Sequence, residues 1–295
     1  MNSSNETPVS EHARAVQEHY DNMTKVFYLQ WNHDHFHFGA FEPGECPRHN
    51  EITKESTGLI RALERMVEIV VAPAGIERHH HVVDAGCGVG GTAIHLARTR
   101  GCRVTGVNLC RLQLEMAERK AVNTGLDEQV SFEYADCSRS LPFADNSVDV
   151  VVNIESARHY SDRRRFLREV YRILKPGGKI VASDWMARDV LTDRQYKNFI
   201  QPLCEDWVMH SLESQSSYTR LLHETGLVLF EFEGFNGSEL DNLRILTNTY
   251  RSLRLLRYGQ MKSPAIVKLM AQIGRVYQAW RNSYLDIRRY CAGKS

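Results

Sequence analysis

The sequence predicts an α/β fold in which a Rossmann-like, seven-stranded sheet carries helices on both faces. Three observations predict it. Short β-branched runs alternate with helical patterns between residues 81 and 185, a glycine-rich loop follows the first run, and two further strand-like runs lie nearer the carboxyl terminus. We also expect an aromatic-rich, helical N-terminal segment and helical cap insertions outside the sheet.

The central strands are predicted where β-branched residues are dense and turn residues follow. In the helix before the fifth strand, an apolar face is formed by Phe166, Val170 and Ile173. Gly177 and Gly178 then turn the chain into that strand. The predicted strands are 81–84, 102–107, 130–134, 148–153, 179–185, 227–235 and 284–291. The predicted helices are 92–100, 162–174, 240–258 and 265–281.

Composition places the chain among ordinary globular proteins. It has 295 residues, of which 42% are hydrophobic and 25% charged, so disordered, collagenous and coiled-coil classes are excluded. The formal net charge is +1, which gives no long-range field to collect nucleic acid or anionic membrane. We therefore expect a small-molecule partner and no nucleic acid.

Cysteine usage and hydropathy indicate the compartment. The seven cysteines have no metal-like spacing, and the first twenty residues contain no apolar signal core. The most apolar window, residues 66–76, is about half as long as the ~20 residues that a membrane span requires. We expect a reduced, cytoplasmic protein without a membrane span.

The glycine loop VVDAGCGVGG is the first motif that carries chemistry. Gly86 and Gly88 follow the first strand with the spacing GxGxG, not the GxGxxG that seats a pyrophosphate, and Asn108 stands where a dinucleotide site has an acidic residue. Asp84 beside the loop favours a cationic ligand over a phosphate. These residues favour a sulfonium with an amino-acid tail over a nicotinamide cofactor. A simple tight turn is the alternative.

Together the motifs of residues 80–185 resemble those of class I S-adenosylmethionine-dependent methyltransferases. The segment GVNLCRLQ is similar to the GxxLSxxQ variant of the tocopherol, sterol, cyclopropane-type and geranyl diphosphate methyltransferases, with Cys110 replacing the serine. The resemblance implies S-adenosylmethionine as the cofactor. It implies a cofactor site made of Asp84, Gly86, Gly88, Asn108, Leu109, Gln113, Asp136 and Cys137.

The segment NIESARHYSD places Glu155 and His159 just beyond the fourth strand. Methyl transfer from a sulfonium is an in-line displacement, in which the protein aligns the reactants and at most one base is needed. His159 suits that base, and Glu155 suits stabilising positive charge or assisting proton removal. The structural alternatives are that His159 satisfies loop backbone and that Glu155 fixes the strand end.

Aromatic residues flank the predicted sheet on both sides. The motif ESxxHxxD and the N-terminal segment resemble the tocopherol-like and sterol-like subgroup, several of whose members methylate carbon, and prenyl C-methyltransferases of the teleocidin type. An alkene that accepts a methyl becomes a carbocation, which aromatic faces stabilise. We predict an acceptor pocket lined by Tyr20, Tyr28, Trp31, Trp185 and Trp207, with ordinary core packing as the alternative.

The predicted function is therefore C-methylation of an isoprenoid or prenyl alkene, with or without a following cyclisation. The alternatives are an N- or O-methyltransferase of a small natural product, a nicotinamide-dependent oxidoreductase and a non-catalytic protein that binds S-adenosylmethionine. His33, His35 and His37 alternate along the chain, but no acidic or cysteine partner is identifiable, so no metal is assigned. Monomer and homo-oligomer both stay open.

The predicted organisation has four parts. Residues 1–60 form an N-terminal cap, and residues 61–185 form the cofactor-binding core. Residues 186–225 form a substrate cap, and residues 226–295 complete the sheet around a helical insertion.

Overall fold

The computed structural model describes residues 10–30, 34–42, 57–235 and 264–295. Its strands are β1 (His81–Ala85), β2 (Arg103–Asn108), β3 (Val130–Tyr134), β4 (Val148–Ile154), β5 (Leu174–Ala187), β6 (Val228–Gly234) and β7 (Leu285–Gly293). They form one seven-stranded sheet in the order β3-β2-β1-β4-β5-β7-β6. Strands β1 to β5 are parallel to one another, and β7 runs antiparallel to both β5 and β6. The predicted fold class is confirmed.

Strand β5 starts earlier than the sequence predicts. The predicted strand begins at residue 179, whereas Leu174 already pairs with Val148 of β4, so the preceding helix ends at Ile173. A register shift between Val148 and Val150 and a left-handed Gly177, at φ 80°, absorb the intervening residues. The early start reflects pairing with β4, which local sequence does not show.

The helices are α1 (Glu11–Gln30), α2 (Thr57–Val71), α3 (Gly91–Arg100), α4 (Arg111–Asn123), α5 (Arg163–Ile173), α6 (Asp193–Gln195), α7 (Gln201–Asp206), α8 (Gln215–Glu224) and α9 (Pro264–Arg281). A π-helical turn at Tyr196–Ile200 joins α6 to α7, and a 3₁₀ turn at Ala157–His159 follows β4. The predicted helix 240–258 lies outside the described residues. None of the helices among these residues has the length and apolar character needed to cross a bilayer.

The core lies on both faces of the sheet because successive strand residues point to opposite sides. In β1, Val82 belongs to the cluster that includes residues of α2, α3 and α9, whereas Val83 belongs to the cluster with α5 and α8. In β4, Val150 and Val151 divide in the same way. This two-sided burial leaves the carboxyl ends of the parallel strands as the edge where a ligand binds.

Two N-terminal elements reach that edge. Helix α1 is joined to α4 by a hydrogen bond from Gln113 Nε2 to Thr24 Oγ1, at 2.9 Å. The second element is an irregular segment, residues 34–42, which we call the strap. The amide N–H of Ala40 in the strap donates to the carbonyl oxygen of Ala62 in α2, at 2.8 Å, and Phe38 and Phe41 are buried.

Candidate active site

A cavity with about 1040 Å³ of empty space opens at the carboxyl edge of the sheet. Its walls come from the loop after β1, the ends of β2, β3 and β4, helix α1 and the strap. This space includes solvent at the mouth of the cavity. The cavity therefore joins the ends of the parallel strands to both N-terminal elements.

The glycines of the loop divide into two roles. Gly86, at φ 83°, and Gly90, at φ 82°, adopt left-handed backbone. A Cβ on Gly86 would lie 2.1 Å from Ser156 Oγ, and a Cβ on Gly90 would lie 2.8 Å from Ala117 Cβ. Gly88, at φ 55°, has nothing within 4 Å of that position and lines the cavity. Two glycines thus permit close packing, and the third leaves room for a ligand.

Asp84 is a buried carboxyl group at the end of β1. The backbone N–H of Ala93 donates to it, and Oδ2 has no hydrogen-bond partner among the described residues. Burial raises the pKa of Asp84 to about 7. An acceptor oxygen that is buried and lacks a partner inside a cavity fits a cationic ligand group.

Three of the residues predicted to bind the cofactor, Asn108, Leu109 and Gln113, lie together at the end of β2 and in the turn and helix that follow it. The side chain of Asn108 donates to Gln113 Oε1, at 2.7 Å, and to the carbonyl oxygen of Gly88, at 3.3 Å. Asn108 Oδ1 accepts from the backbone N–H of Leu109, at 2.8 Å. The predicted set is connected to the glycine loop, and through Gln113 to Thr24 of α1, a contact that local sequence does not reveal.

Asp136 and Cys137 lie beyond β3 and line the cavity. Asp136 Oδ1 accepts from the backbone N–H and the hydroxyl of Ser138, at 2.9 and 2.6 Å, while Oδ2 is buried without a partner in the described part of the chain. Burial raises the pKa of Cys137 to about 12, so this side chain stays a neutral thiol. The pair offers one free carboxylate oxygen and an apolar sulfur surface.

His159 is held in one tautomer. Its Nδ1 lies 3.2 Å from the carbonyl oxygen of Val208 and must donate to it, so Nε2 accepts from the Tyr20 hydroxyl, at 2.9 Å. Burial, with a smaller contribution from Arg158, keeps the pKa of His159 well below its usual value. The imidazole is therefore neutral at physiological pH and hydrogen-bonded to a cavity-lining phenol.

Glu155 lies at the end of β4 with a left-handed backbone, at φ 50°. Its Oε1 accepts from the backbone N–H of Phe38, at 2.8 Å, and its Oε2 accepts from the indole N–H of Trp185, also at 2.8 Å. Burial raises its pKa, and the guanidinium of Arg158, 3.7 Å away, opposes that rise. Both carboxylate oxygens are engaged by protein donors.

Sequence reasoning missed a buried polar network behind Glu155. Arg158 Nη1 donates to Asp184 Oδ1, at 3.2 Å, and the Tyr218 hydroxyl donates to Asp184 Oδ2, at 3.1 Å. The Arg158 guanidinium also lies 4.8 Å from the ring centre of Trp185. The one sequence signal for this network was the position of Arg158 inside the segment ESARH. Asp184 gave no signal of its own, because it lies within a strand whose other residues there are buried.

Removing Asp184 is expected to destabilise the fold strongly. Replacing Asp184 with alanine leaves Arg158 buried without its main counter-charge, and breaking such a pair costs about 3 kcal/mol. Urea unfolding should show that loss, whereas replacement of the exposed Asp127 with alanine should stay within about 0.5 kcal/mol of wild type. A loss below about 1 kcal/mol for the Asp184 variant would contradict this view of the network.

The predicted acceptor-binding aromatics do not all meet at the cavity. Tyr20 lines it, and so does Phe36 of the strap. Trp185 is only 4% exposed and packs against Phe38, with ring centres 5.3 Å apart, so it lies in the wall behind Glu155. Trp207 is half-buried beside Trp185, with ring centres 6.1 Å apart, and lies outside the cavity lining.

Tyr28 and Trp31 are the other two of the five predicted acceptor-binding residues. Tyr28 is half-buried on α1 and is not among the cavity-lining residues. Trp31 lies outside the described residues. The structure thus brings one of the five predicted acceptor residues, Tyr20, to the cavity, and the assignment of the others stays a prediction.

Two of the three alternating histidines, His35 and His37, meet inside the strap. His37 Nδ1 donates to the carbonyl oxygen of Phe38, at 2.7 Å, and His37 Nε2 lies 3.0 Å from His35 Nδ1. Burial lowers the pKa of both side chains, that of His37 to about 4. His33 is outside the described residues, among which no group of three His, Cys, Asp or Glu side chains is placed to hold a metal ion.

The residues fit an adenosyl group that carries an amino acid. Asp84 offers a buried carboxylate oxygen to an ammonium, Gly88 leaves the adjacent space free, and Asp136 offers a second oxygen farther along the edge. These features lie along the ends of β1, β2 and β3, which matches an elongated ligand that crosses the sheet edge.

Comparisons with known proteins agree with this geometry. Residues 83–182 match the family model described as a methyltransferase domain. Methyltransferase GfsG of Streptomyces halstedii is 35% identical over 219 residues, which cover 74% of this chain and 74% of that protein. Norajmaline N-methyltransferase of Rauvolfia serpentina is 29% identical over 228 residues, covering 72% and 74%.

Solved structures share the whole architecture. Geranyl diphosphate C-methyltransferase of Streptomyces coelicolor A3(2), in complex with Mg²⁺, geranyl diphosphate and S-adenosyl-L-homocysteine, superposes with a TM-score of 0.74. The superposition covers 98% of this chain and 100% of that one at 20% sequence identity, so the likeness is one of fold.

Proposed function

Because this chain belongs to the S-adenosylmethionine-dependent methyltransferases and acts on a small molecule, we propose that it methylates a carbon atom of an uncharged prenyl acceptor. The proposal rests chiefly on one observation. A neutral His159, hydrogen-bonded to the Tyr20 hydroxyl, faces a cavity whose surface is mostly apolar and to which α1 contributes Ala13 and Val16 as well as His12 and Gln17.

The cofactor is proposed to lie along the ends of β1, β2 and β3. Asp84 would bind its ammonium group, Asn108 and Gln113 its ribose, and Asp136 with Cys137 its adenine. Gly88 would leave room for the cofactor beside the main chain, and Gly86 lets the loop that lines the site pack against Ser156. When bound, S-adenosylmethionine supplies an electrophilic methyl group on a positively charged sulfur.

The rest of the cavity suits an apolar acceptor. Ala13 and Val16 of α1, Phe36 of the strap and Ile154 at the end of β4 line it beside Tyr20. Among the described lining residues Arg158 is the sole Lys or Arg, and its guanidinium already faces Asp184 and Glu155. Among these described residues a diphosphate would therefore find no Lys or Arg without an acidic partner, which favours an uncharged acceptor.

Carbon methylation has two steps: the aromatic rings serve the first, and the Tyr20–His159 pair serves the second. As an alkene carbon forms a bond to the methyl carbon, the bond between that methyl and the sulfur would break, and the positive charge would pass to the adjacent alkene carbon. The faces of Tyr20 and Phe36 would stabilise that charge. The cation then loses a proton to the Tyr20 oxygen as the Tyr20 hydroxyl proton moves to His159 Nε2. His159 ends protonated, and the acceptor ends as a neutral alkene with one more carbon.

The test uses one acceptor that offers both carbon and nitrogen. A geranylated indole and the same indole with a saturated geranyl chain are each incubated with S-adenosylmethionine labelled with ¹³C at the methyl. The products are analysed by NMR. We expect a carbon-bound methyl from the alkene and no product from the saturated compound. Methylation of both compounds at nitrogen would overturn the proposal, and the same spectra reveal any ring closure.

Cofactor binding should also release a proton. With a pKa of about 7, Asp84 is mostly protonated at pH 6 in the free protein, and a bound ammonium keeps it ionised. The affinity for S-adenosylhomocysteine should therefore rise about tenfold from pH 6 to pH 8 and level off above pH 7.

Titration calorimetry at pH 6 in buffers of different ionisation enthalpy measures the released proton directly. The matched variant Asp84→Asn cannot ionise, so its binding should be weaker and should release no proton from this site. Wild-type binding without proton release, or an Asp84→Asn variant with wild-type affinity, would show that Asp84 does not contact the cofactor.

A further inference from the structure

The strap forms part of the wall of the cofactor cavity. Residues Asp34, His35 and Phe36 line the cavity beside the glycine loop. A Cβ placed on Gly91, the first residue of α3, would lie 1.9 Å from the carbonyl oxygen of Asp34. The strap backbone therefore lies directly against the start of α3, and any displacement of the strap opens the cavity next to the loop.

Besides the Ala40–Ala62 hydrogen bond, the strap has attachments near its start, near its end and between them. Lys120 of α4 forms an ion pair with Asp34, at 2.7 Å, near its start, and Arg65 of α2 donates to the carbonyl oxygen of Ala40, at 2.8 Å, near its end. Between them, the backbone N–H of Phe38 donates to Glu155 Oε1, at 2.8 Å. This central attachment joins the strap to the end of β4, on the other side of the cavity.

Glu155 is also held by residues outside the strap. Its Oε2 accepts from Trp185 of β5, and Arg158, itself bound to Asp184, stands 3.7 Å from the same oxygen. Its left-handed backbone is costly for a non-glycine residue and persists only where the surroundings impose it. The carboxylate is thus held in place with one oxygen directed at the strap.

We propose that Glu155 is a positioning residue that latches the strap over the cofactor cavity, so that the strength of this latch sets how fast S-adenosylhomocysteine leaves. Release of the bound cofactor product requires the strap to move from α3, and the Phe38 N–H must leave Glu155 Oε1 as it does so. The inference depends on the cofactor and on the contacts of the strap, and not on the identity of the acceptor.

The test combines hydrogen exchange of residues 34–42 with the dissociation rate of S-adenosylhomocysteine. In Glu155→Gln the amide has one acceptor oxygen for two N–H donors, so one of the two bonds is lost. We expect faster exchange in the strap and about a tenfold faster dissociation, which corresponds to about 1.4 kcal/mol. Glu133→Gln, which removes an exposed carboxylate on β3, should change neither value.

A second variant displaces the strap without touching Glu155. In Gly91→Ala the added Cβ forces the Asp34 carbonyl away, so the strap should exchange faster and the ligand should leave faster. Gly274→Ala, at a helical glycine with nothing within 4 Å, is the matched control. The melting temperature of each variant separates a displaced strap from a destabilised fold.

The wild-type protein provides a third measurement that requires no substitution. Saturating S-adenosylhomocysteine should slow exchange in the strap, because a filled cavity supports the closed position. Unchanged exchange on binding would overturn the proposal. So would a folded Glu155→Gln variant in which both the exchange of the strap and the dissociation rate match wild type.

Discussion

Replacing Gly88 with valine is expected to abolish detectable binding of S-adenosylhomocysteine while the chain stays folded. Nothing lies within 4 Å of the position that a Cβ would take, so the new side chain enters the cavity without displacing protein atoms. It would fill the space beside Asp84 that we assign to the methionine part of the cofactor. From wild-type binding in the micromolar range, about −8 kcal/mol, we expect a loss of at least about a hundredfold.

The control must reproduce the backbone strain. Gly88 has φ 55°, where a β-branched residue costs about 1–2 kcal/mol in stability. Gly125, after α4, has φ 67° and likewise nothing within 4 Å, but it lies outside the cavity lining. Gly125→Val should therefore lose similar stability and bind normally by calorimetry. Equal binding by both valine variants would show that the cofactor does not lie against Gly88.

Much of the fold could be predicted from sequence, because the signals for its strands, helices and glycine loop are local. The alternation of β-branched strands with helical patterns depends on residues within one element, and so does the glycine loop that follows β1. These signals predicted all seven strands and the order of the motifs along the carboxyl edge of the sheet. Where β5 begins could not be predicted, because Leu174 becomes a strand residue only by pairing with Val148.

The side-chain partners at the site were beyond sequence reasoning. Glu155 and His159 are four residues apart, yet their hydrogen-bond partners lie in four separate parts of the chain: Phe38, Trp185, Tyr20 and Val208. An aromatic-rich segment also cannot reveal which rings face a cavity and which face the core. By sequence, Trp185 could line a cavity or pack in the core. Only the fold places it behind Glu155.

Replacing His159 with alanine is expected to lower the turnover of methyl transfer by about 10² to 10⁴, the range for loss of a general base. The affinity for S-adenosylhomocysteine should stay near wild type, because the proposed cofactor contacts lie along β1, β2 and β3. Tyr20→Phe removes the hydroxyl that links the cavity to His159 and keeps the ring, so its turnover should fall in the same direction.

Helix α1 must stay in place for this comparison to be meaningful. The Tyr134 hydroxyl donates to Gln17 of α1, at 3.4 Å, so Tyr134→Phe loosens the same helix without touching His159 and should retain turnover. A low turnover in Tyr134→Phe as well would point to the docking of α1 and not to proton removal. Wild-type turnover in His159→Ala would assign His159 to the scaffold through its bond to Val208.

The pH profile separates the base from its structural alternative. A proton acceptor must be neutral, and burial keeps the pKa of His159 well below 6.5. Turnover measured at saturating cofactor should therefore stay level as the pH is lowered from 8 through 6.5, and should fall only in more acid solution, where His159 becomes protonated and can no longer accept from Tyr20. A decline centred at an ordinary histidine pKa of about 6.5 would mean that the essential group is exposed to solvent, which His159 is not.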